Sequence, residues 1–510
     1  MKRRISAFLL ALLTILMTAC STATSTETDT PEAEVTEPGA QSEMTEETEE
    51  PDPFEGADYD GRTFCIYTSV NEATVGVETS NYLIEGYEEL TGDVAPDAAI
   101  QRNQDVEQRL NVELTYEDVN YSYDQVAANV RRLLSAGDAT YQLIINDIYG
   151  LVPITPEGLF RNAYDGENFD FSRPWWYDDF MEDISINTKL RFTLAGDYFI
   201  DLLRCTHCLI MNKNIYTDIW GDPNDVYSFV LEKTWTFDKY RELIDGAYRD
   251  LNGNGKKDKN DQFGHIAFEY WGPMIPWIVS GDPDFIERLE DGNPRVALEN
   301  EKSIELTERL NAIIHSDATA IGIFGSEQGT IDAFTSGQSL FIGYQRLGSL
   351  ESDNLRSTEV DLAVLPYPML NEVQADYVTS THDTAELGFI PVSVTQEDMP
   401  FVSAVIEVLC RETHRQLLPA YYESSLKIKY TRDSMDGQMI DIIHDHYGNG
   451  FALAWSNALN GVLLNKTFNA CVEANSTDFM SRFKTQAKAT DKMLSKIIDK
   501  NDALLEQYGY

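Results

Sequence analysis

Within residues 250–261, Asp250, Asn252, Asn254, Asp258 and Asp261 occupy positions 1, 3, 5, 9 and 12, and Gly255 stands at position 6. Oxygen donors at that spacing, folded over a glycine that permits a sharp turn, suit a hard cation such as Ca²⁺. Lys256, at position 7, would offer its backbone carbonyl. Asp261 stands where a longer Glu is usual, which shortens the reach of the last ligand. The stretch lies between a helical pattern and the apolar run Phe263-Gly264-His265-Ile266, away from paired acids or a nucleophile, so the expected ion is structural. Without a cation, the same residues read as an exposed Asn-Gly turn.

Other candidate metal sites are weaker. Cys205 and Cys208 form one Cys-x-x-Cys with no second pair, which buried thiols or a local disulfide explain more simply than zinc. His444-Asp445-His446 reads as a loop. The chain lacks Gly-x-Ser-x-Gly, His-Glu-x-x-His and a Gly-rich phosphate loop, and no acid pair stands out, so no catalytic residue is nominated. The aromatic residues are more informative. Seven Trp and 26 Tyr invite a carbohydrate reading, because flat rings cover the C–H faces of a pyranose while acids and amides bind its hydroxyls. Residues 268–277, the densest cluster, resemble the segment of maltose-binding-type proteins that places an aromatic platform in the cleft, and the match falls on Tyr270 or Trp271. Tyr344, just after an apolar strand, is similar in place to another cleft aromatic of those proteins, and Trp455 lies near Gly450. Asp147 and Asp383 offer carboxylates for hydroxyl groups. Core packing is the competing reading for each ring, and Trp175-Trp176 reads as a rim feature.

Strand and helix alternate along the body that must position these groups. Residues 63–68 read as a strand, Asp97 as a helix cap and 112–116 as an alternating strand. A helical stripe at Val126, Val130, Leu133 and Leu134 stops at Gly137, and 141–145 reads as a buried strand. That order predicts βαβ units, with ligands at the carboxyl ends of the strands, here Thr68-Ser69 and Asn146-Asp147. A second unit starts at 208–211, with Asn212 opening a helix and Thr236 capping the next. A charged helical tail begins near Ser476.

The chain has 510 residues, more than one core usually organises. It carries 85 acidic and 39 basic residues, a formal net charge of −46, which disfavours nucleic acids and anionic bilayers as partners. Residues 1–4 are basic and 5–19 apolar, too short to span a bilayer comfortably, which reads as an export signal. Leu16-Met17-Thr18-Ala19-Cys20 resembles the lipobox of bacterial lipoproteins, with Cys20 as the lipidated residue. Residues 21–55 hold twelve acids and no base. Such a segment cannot bury a core and reads as a solvated, extended tether.

With these features in place, the chain resembles the solute-binding lipoproteins of bacterial ABC importers, of the extracellular family 1, maltose-binding-like type. Asn212-Lys213 is similar to the family's crossover segment, although Met211 stands where an aromatic is common. The stretch 234–240 looks like its Trp-rich helix start, and 333–341 like the segment that precedes a strand. Calcium-type loops recur in that family. The resemblance covers most of residues 57–510 and implies an α/β, two-lobe periplasmic-binding-protein fold of type II, each lobe a mostly parallel sheet flanked by helices. It implies a signal peptide at 1–19 and a tether at 20–56. Lobe 1 would run over 57–203, returning near 379–430, and lobe 2 over 204–378, with helices 431–510 packing mainly on lobe 2. The implied protein is a monomer and not an enzyme. It would sit on the extracellular face of the cell membrane, anchored only by lipid, and pass an oligosaccharide to permease subunits. A surface glycoside hydrolase, a binder of peptide or another small solute, and an adhesion or scaffold lipoprotein are the alternatives.

Overall fold

The computed structural model describes residues 53–70, 81–120, 125–351, 355, 357–422 and 434–509. The expected signal peptide, Cys20 and nearly all of the tether lie outside the described residues.

Residues Phe54–Tyr510 form a compact unit built on two sheets. The first contains β1 (Arg62–Val70), β2 (Val112–Asn120), β3 (Leu143–Asp147) and β11 (Glu386–Phe389) in the order β11-β3-β1-β2. Both neighbours of β1 run parallel to it, with Arg62 opposite Val112 and Ile66 opposite Leu143. β11 joins antiparallel, Glu386 opposite Asp147. Every residue of β3 is buried, as expected of a strand covered on both faces, with its apolar run 143–145 followed by the buried polar Asn146 and Asp147. The helices Val94–Leu110 and Val126–Ser135 are the crossovers between these strands. The first begins before Asp97, whose carboxylate instead accepts the N–H groups of Thr91 and Gly92 in the preceding loop.

The second sheet contains β4 (His207–Asn212), β5 (Phe263–Ala267), β8 (Thr319–Ile321), β9 (Ser339–Arg346) and β10 (Leu362–Leu365) in the order β10-β4-β9-β5-β8. β5 is parallel to both β8 and β9, whereas β4 is antiparallel to β9 and β10. This sheet is therefore mixed. A two-stranded ribbon, β6 (Ile286–Arg288) with β7 (Pro294–Val296), lies apart from it. Local capping chemistry starts the flanking helices. Asn212 accepts the N–H of Ile215 and Thr236 that of Lys239, and each such cap contributes about 1 kcal/mol.

The helices after residue 431 lie against both halves rather than mainly the second. Gly450–Trp455 packs on Asp178–Ile184 and Ile148–Leu151, near the first sheet. The long helix Phe479–Tyr508 touches both Val152–Glu157 and Glu301–Ile314. Polar anchors explain the placement: Trp455 Nε1 donates to the carbonyl of Ile184, and the N–H of Asn162 donates to the Tyr508 hydroxyl. Trp175 and Trp176 are likewise tied inward rather than left on a rim. Both indole N–H groups donate to Glu407 on the helix Met399–Glu412.

Candidate functional site

A cavity of about 550 Å³ is walled by Tyr344 of the second sheet and by segments that lead out of strands of both sheets. Tyr149 follows β3, Phe268, Glu269 and Trp271 follow β5, and Tyr344 belongs to β9. Glu327 opens the helix Glu327–Thr335, and His382-Asp383-Thr384 lie on the return toward β11. Ser456, Asn457 and Asn465 come from the C-terminal helices. The volume lies within the range of small-molecule sites, and apolar rings share the walls with a few polar groups.

Tyr344 reaches this cavity through a break in the ladder. The register between β4 and β9 shifts between Cys208 and Ile210, leaving an extra residue on β9. Tyr344 sits there with φ +60°, a left-handed conformation that a side chain of this size rarely takes. Its N–H donates to the Tyr367 hydroxyl at 2.7 Å, which holds the bulge. Its ring is stacked by His207 at 5.1 Å between centroids, and the Arg346 guanidinium lies 5.4 Å from its centre. Its hydroxyl lies 2.8 Å from His382 Nε2. A Cβ on Gly272 would come within 2.6 Å of that hydroxyl, so the close approach of the helix Trp271–Ser280 requires glycine there. Tyr344 is only 7 % exposed; it lines the cavity but offers little open face. Trp271, 39 % exposed, is the available aromatic platform.

Three carboxylates enter the cavity. Glu327 accepts from Arg346 Nη2 at 3.1 Å. Burial raises its pKa above the ordinary carboxylate value, and the guanidinium offsets part of that rise. Burial also opposes charge on Asp383, but His382, with Nδ1 3.1 Å from its Oδ1, and then Arg346 hold this carboxyl below its ordinary value. Glu269 makes no ion pair and no hydrogen bond among the described residues.

The structure gathers Trp271, Tyr344 and Asp383 into the cavity and assigns the other sequence candidates elsewhere. Tyr270 turns aside to face the ring of His315 at 6.3 Å. Trp455 is core, 1 % exposed with its N–H satisfied by Ile184. Asn146 is buried and accepts the N–H of Asp147. Asp147 caps the short helix Ile148–Leu151 through the N–H of Gly150. These two polar side chains satisfy backbone donors at the end of β3, and burial pushes Asp147 up to about 7. Sequence reasoning missed Tyr149, Glu269, Glu327, His382 and Thr384. The adjacency of His382 and Asp383 was the one local hint.

Among the described residues no group of three or more His, Cys, Asp or Glu side chains is arranged to hold a metal ion. Cys205 and Cys208 are buried free thiols. His444 and His446 face different partners, Tyr177 with Asp445 and Asp376 with the Ile442 carbonyl. In the loop 250–261, Asp250 accepts the N–H groups of Gly253 and Gly255 at 2.8 Å, and Asn252 and Asn254 turn their amides toward Asp258. Asp261 is fully buried. One of its oxygens accepts the N–H of Asp258, and the other has no hydrogen-bond partner. An unpaired buried carboxylate oxygen at the last ligand position fits a cation loop.

No family model and no curated protein matches this chain. Solved structures do. A cyclo/maltodextrin-binding protein complexed with maltotetraose aligns with a TM-score of 0.55 and 9 % identity over 86 % of this chain and 98 % of that one. A cyclic α-maltosyl-1,6-maltose-binding protein from Arthrobacter globiformis gives 0.55 and 12 % identity over 86 % and 100 %. An ABC transporter solute-binding protein from Thermotoga lettingae, bound with α-D-tagatose, gives 0.52 and 11 % over 85 % and 100 %. The fold is that of the two-domain periplasmic binding proteins.

Proposed function

We propose that this chain is the solute-binding component of an ABC importer, of the extracellular family 1 type, which captures an oligosaccharide by closure of two lobes and releases it unaltered to permease subunits. The supporting observation is the cavity walled by Tyr344 of the second sheet, by segments leaving strands of both sheets and by the return toward β11, with an open Trp271 beside acids, amides and hydroxyls. The known structures that share the fold include proteins bound to maltotetraose and tagatose. Ligand contacts from both halves are what closure needs. A swing from 1:99 to 99:1 takes about 5.5 kcal/mol of differential affinity.

The wider reading places lobe 1 at 57–203 with its return near 379–430, lobe 2 at 204–378, and a lipid on Cys20 that holds a monomer at the extracellular face of the membrane. The apolar stretch 5–19, the lipobox-like residues before Cys20 and the acidic stretch 21–55 support the anchor and tether. Among the described residues no helix is long and apolar enough to cross a membrane. Asp250, Asn252, Asn254, Asp258, Asp261 and the carbonyl of Lys256 would hold a structural Ca²⁺, which would replace the contacts now made by the two amides to Asp258.

One observation favours a second reading. Glu327, raised, and Asp383, lowered, share a cavity, and acids with opposed shifts are the pattern of a glycoside hydrolase. A labelled oligosaccharide panel separates the two. Saturable tryptophan quenching, a smaller radius of gyration in solution scattering and intact glycan are expected. Cleaved glycan overturns the transport reading in favour of hydrolysis, and no binding to any member overturns both.

A further inference from the structure

We propose, building on the solute-binding reading above, that the captured solute is an oligosaccharide bearing a protonated amine, held between the Glu269 carboxylate and the Trp271 ring. Both residues stand where β5 gives way to the helix Trp271–Ser280, two positions apart, and both line the cavity. Among the described lining residues the charges do not balance. Glu269, Glu327 and Asp383 supply three carboxylates, whereas none of the described lining residues is Lys or Arg.

Two of the three acids are already answered by the protein. Arg346, set behind the wall on β9, bonds Glu327, and His382 lies beside Asp383. Glu269 has no such partner among the described residues. While the cavity is open, water solvates this carboxylate. A solute that seals the cavity strips that water away, and a bare carboxylate without a counter-charge is strongly disfavoured. Neutral hydroxyls return only ordinary hydrogen bonds. An ammonium group returns charge-assisted ones, and its positive charge is also attracted to the face of the neighbouring indole. Among the described lining residues, the most exposed aromatic ring and the one unanswered acid thus stand side by side, which selects a cation carried on a ring-shaped solute.

The test compares three trimers on the full chain by calorimetry near pH 6, where an amine of ordinary basicity is protonated. They are a glucosamine trimer with free amines, its fully N-acetylated form and a glucose trimer of the same linkage. The expected result is an affinity at least about tenfold higher for the free-amine trimer, weakened by added salt more than the others. In Glu269→Gln, which should melt near the wild-type temperature because the site is exposed, that ratio falls toward one. Equal affinities for the three trimers, or a preference that survives Glu269→Gln, overturn the amine assignment while leaving the oligosaccharide reading standing. Failure of every trimer to bind overturns both.

Discussion

The Tyr344 hydroxyl lies 2.8 Å from His382 Nε2, joining a bulged strand of the second sheet to the chain returning toward the first. Tyr344→Phe keeps the ring between His207 and Arg346 but removes this link. Loss of one hydrogen bond should destabilise the protein by about 1 kcal/mol and weaken solute binding several-fold, read by thermal melting and calorimetry. Unchanged affinity would show that the link does not couple the two halves of the site.

Gly272→Ala should act on the same link from the other side. Its Cβ would press within 2.6 Å of the Tyr344 hydroxyl, and overpacking of this kind costs about 1–3 kcal/mol. The Cβ would also crowd the ring carbon Cζ at 2.7 Å, so when Gly272→Ala is combined with Tyr344→Leu, which removes both the hydroxyl and the ring, the penalty should be smaller than the sum of the two single changes. Additive melting shifts would argue against the contact.

Trp271→Ala should reduce oligosaccharide affinity by roughly tenfold or more, since it removes an aromatic face, with a melting temperature near that of the wild type because the ring is exposed. Trp455→Phe should do the reverse. Its buried indole N–H bonds Ile184, so the change lowers stability while the ligand-induced quench, carried by Trp271, persists.

Glu407, buried beneath Trp175 and Trp176, has its pKa pushed up to about 7 by burial, with the two indole N–H groups opposing part of that rise. The folded state therefore holds this proton more tightly than the unfolded chain, whose value is near 4.5. The resulting stability is fully present below about pH 4.5 and is lost as pH rises through about 7. Measured across that window, the wild type should lose stability relative to Glu407→Gln, on the order of 3 kcal/mol in total. A difference that stays flat with pH would refute the shift.

Calcium should raise the melting temperature and a chelator lower it, with Asp258→Ala abolishing the response. Asp258 is the acid around which Asn252, Asn254 and Asn260 are gathered. Equal melting with and without micromolar free calcium would remove the ion from the account of this loop.

Much of the fold was legible because its signals are local. The apolar run at 141–145 marks a strand that the structure places at Leu143–Asp147. The stripe from Val126 to Leu134 marks a helix ending at Ser135, and Asn212 and Thr236 cap the helices they precede. Each signal depends on neighbours within about one helical turn or strand, and the chain order of such elements already implies an α/β fold. The mixed pairing of β4 with β9 and β10 left no trace in spacing, because pairing direction depends on distant segments.

The candidate site divides along the same line. The amino-acid sequence determined by itself which rings and acids existed to be used and which segments would alternate as strand and helix. Only tertiary structure decided that Trp271 faces a cavity while Trp455 is sealed in the core, and that Asp147 serves a helix cap while Asp383 lines a wall. It likewise brought Glu269, Glu327 and His382, each far from the next along the chain, into one pocket. The physical reason is that a side chain's role follows from what closes over it. Burial, counter-charge and hydrogen-bond partners are supplied by segments remote in sequence, and no local pattern encodes their arrival.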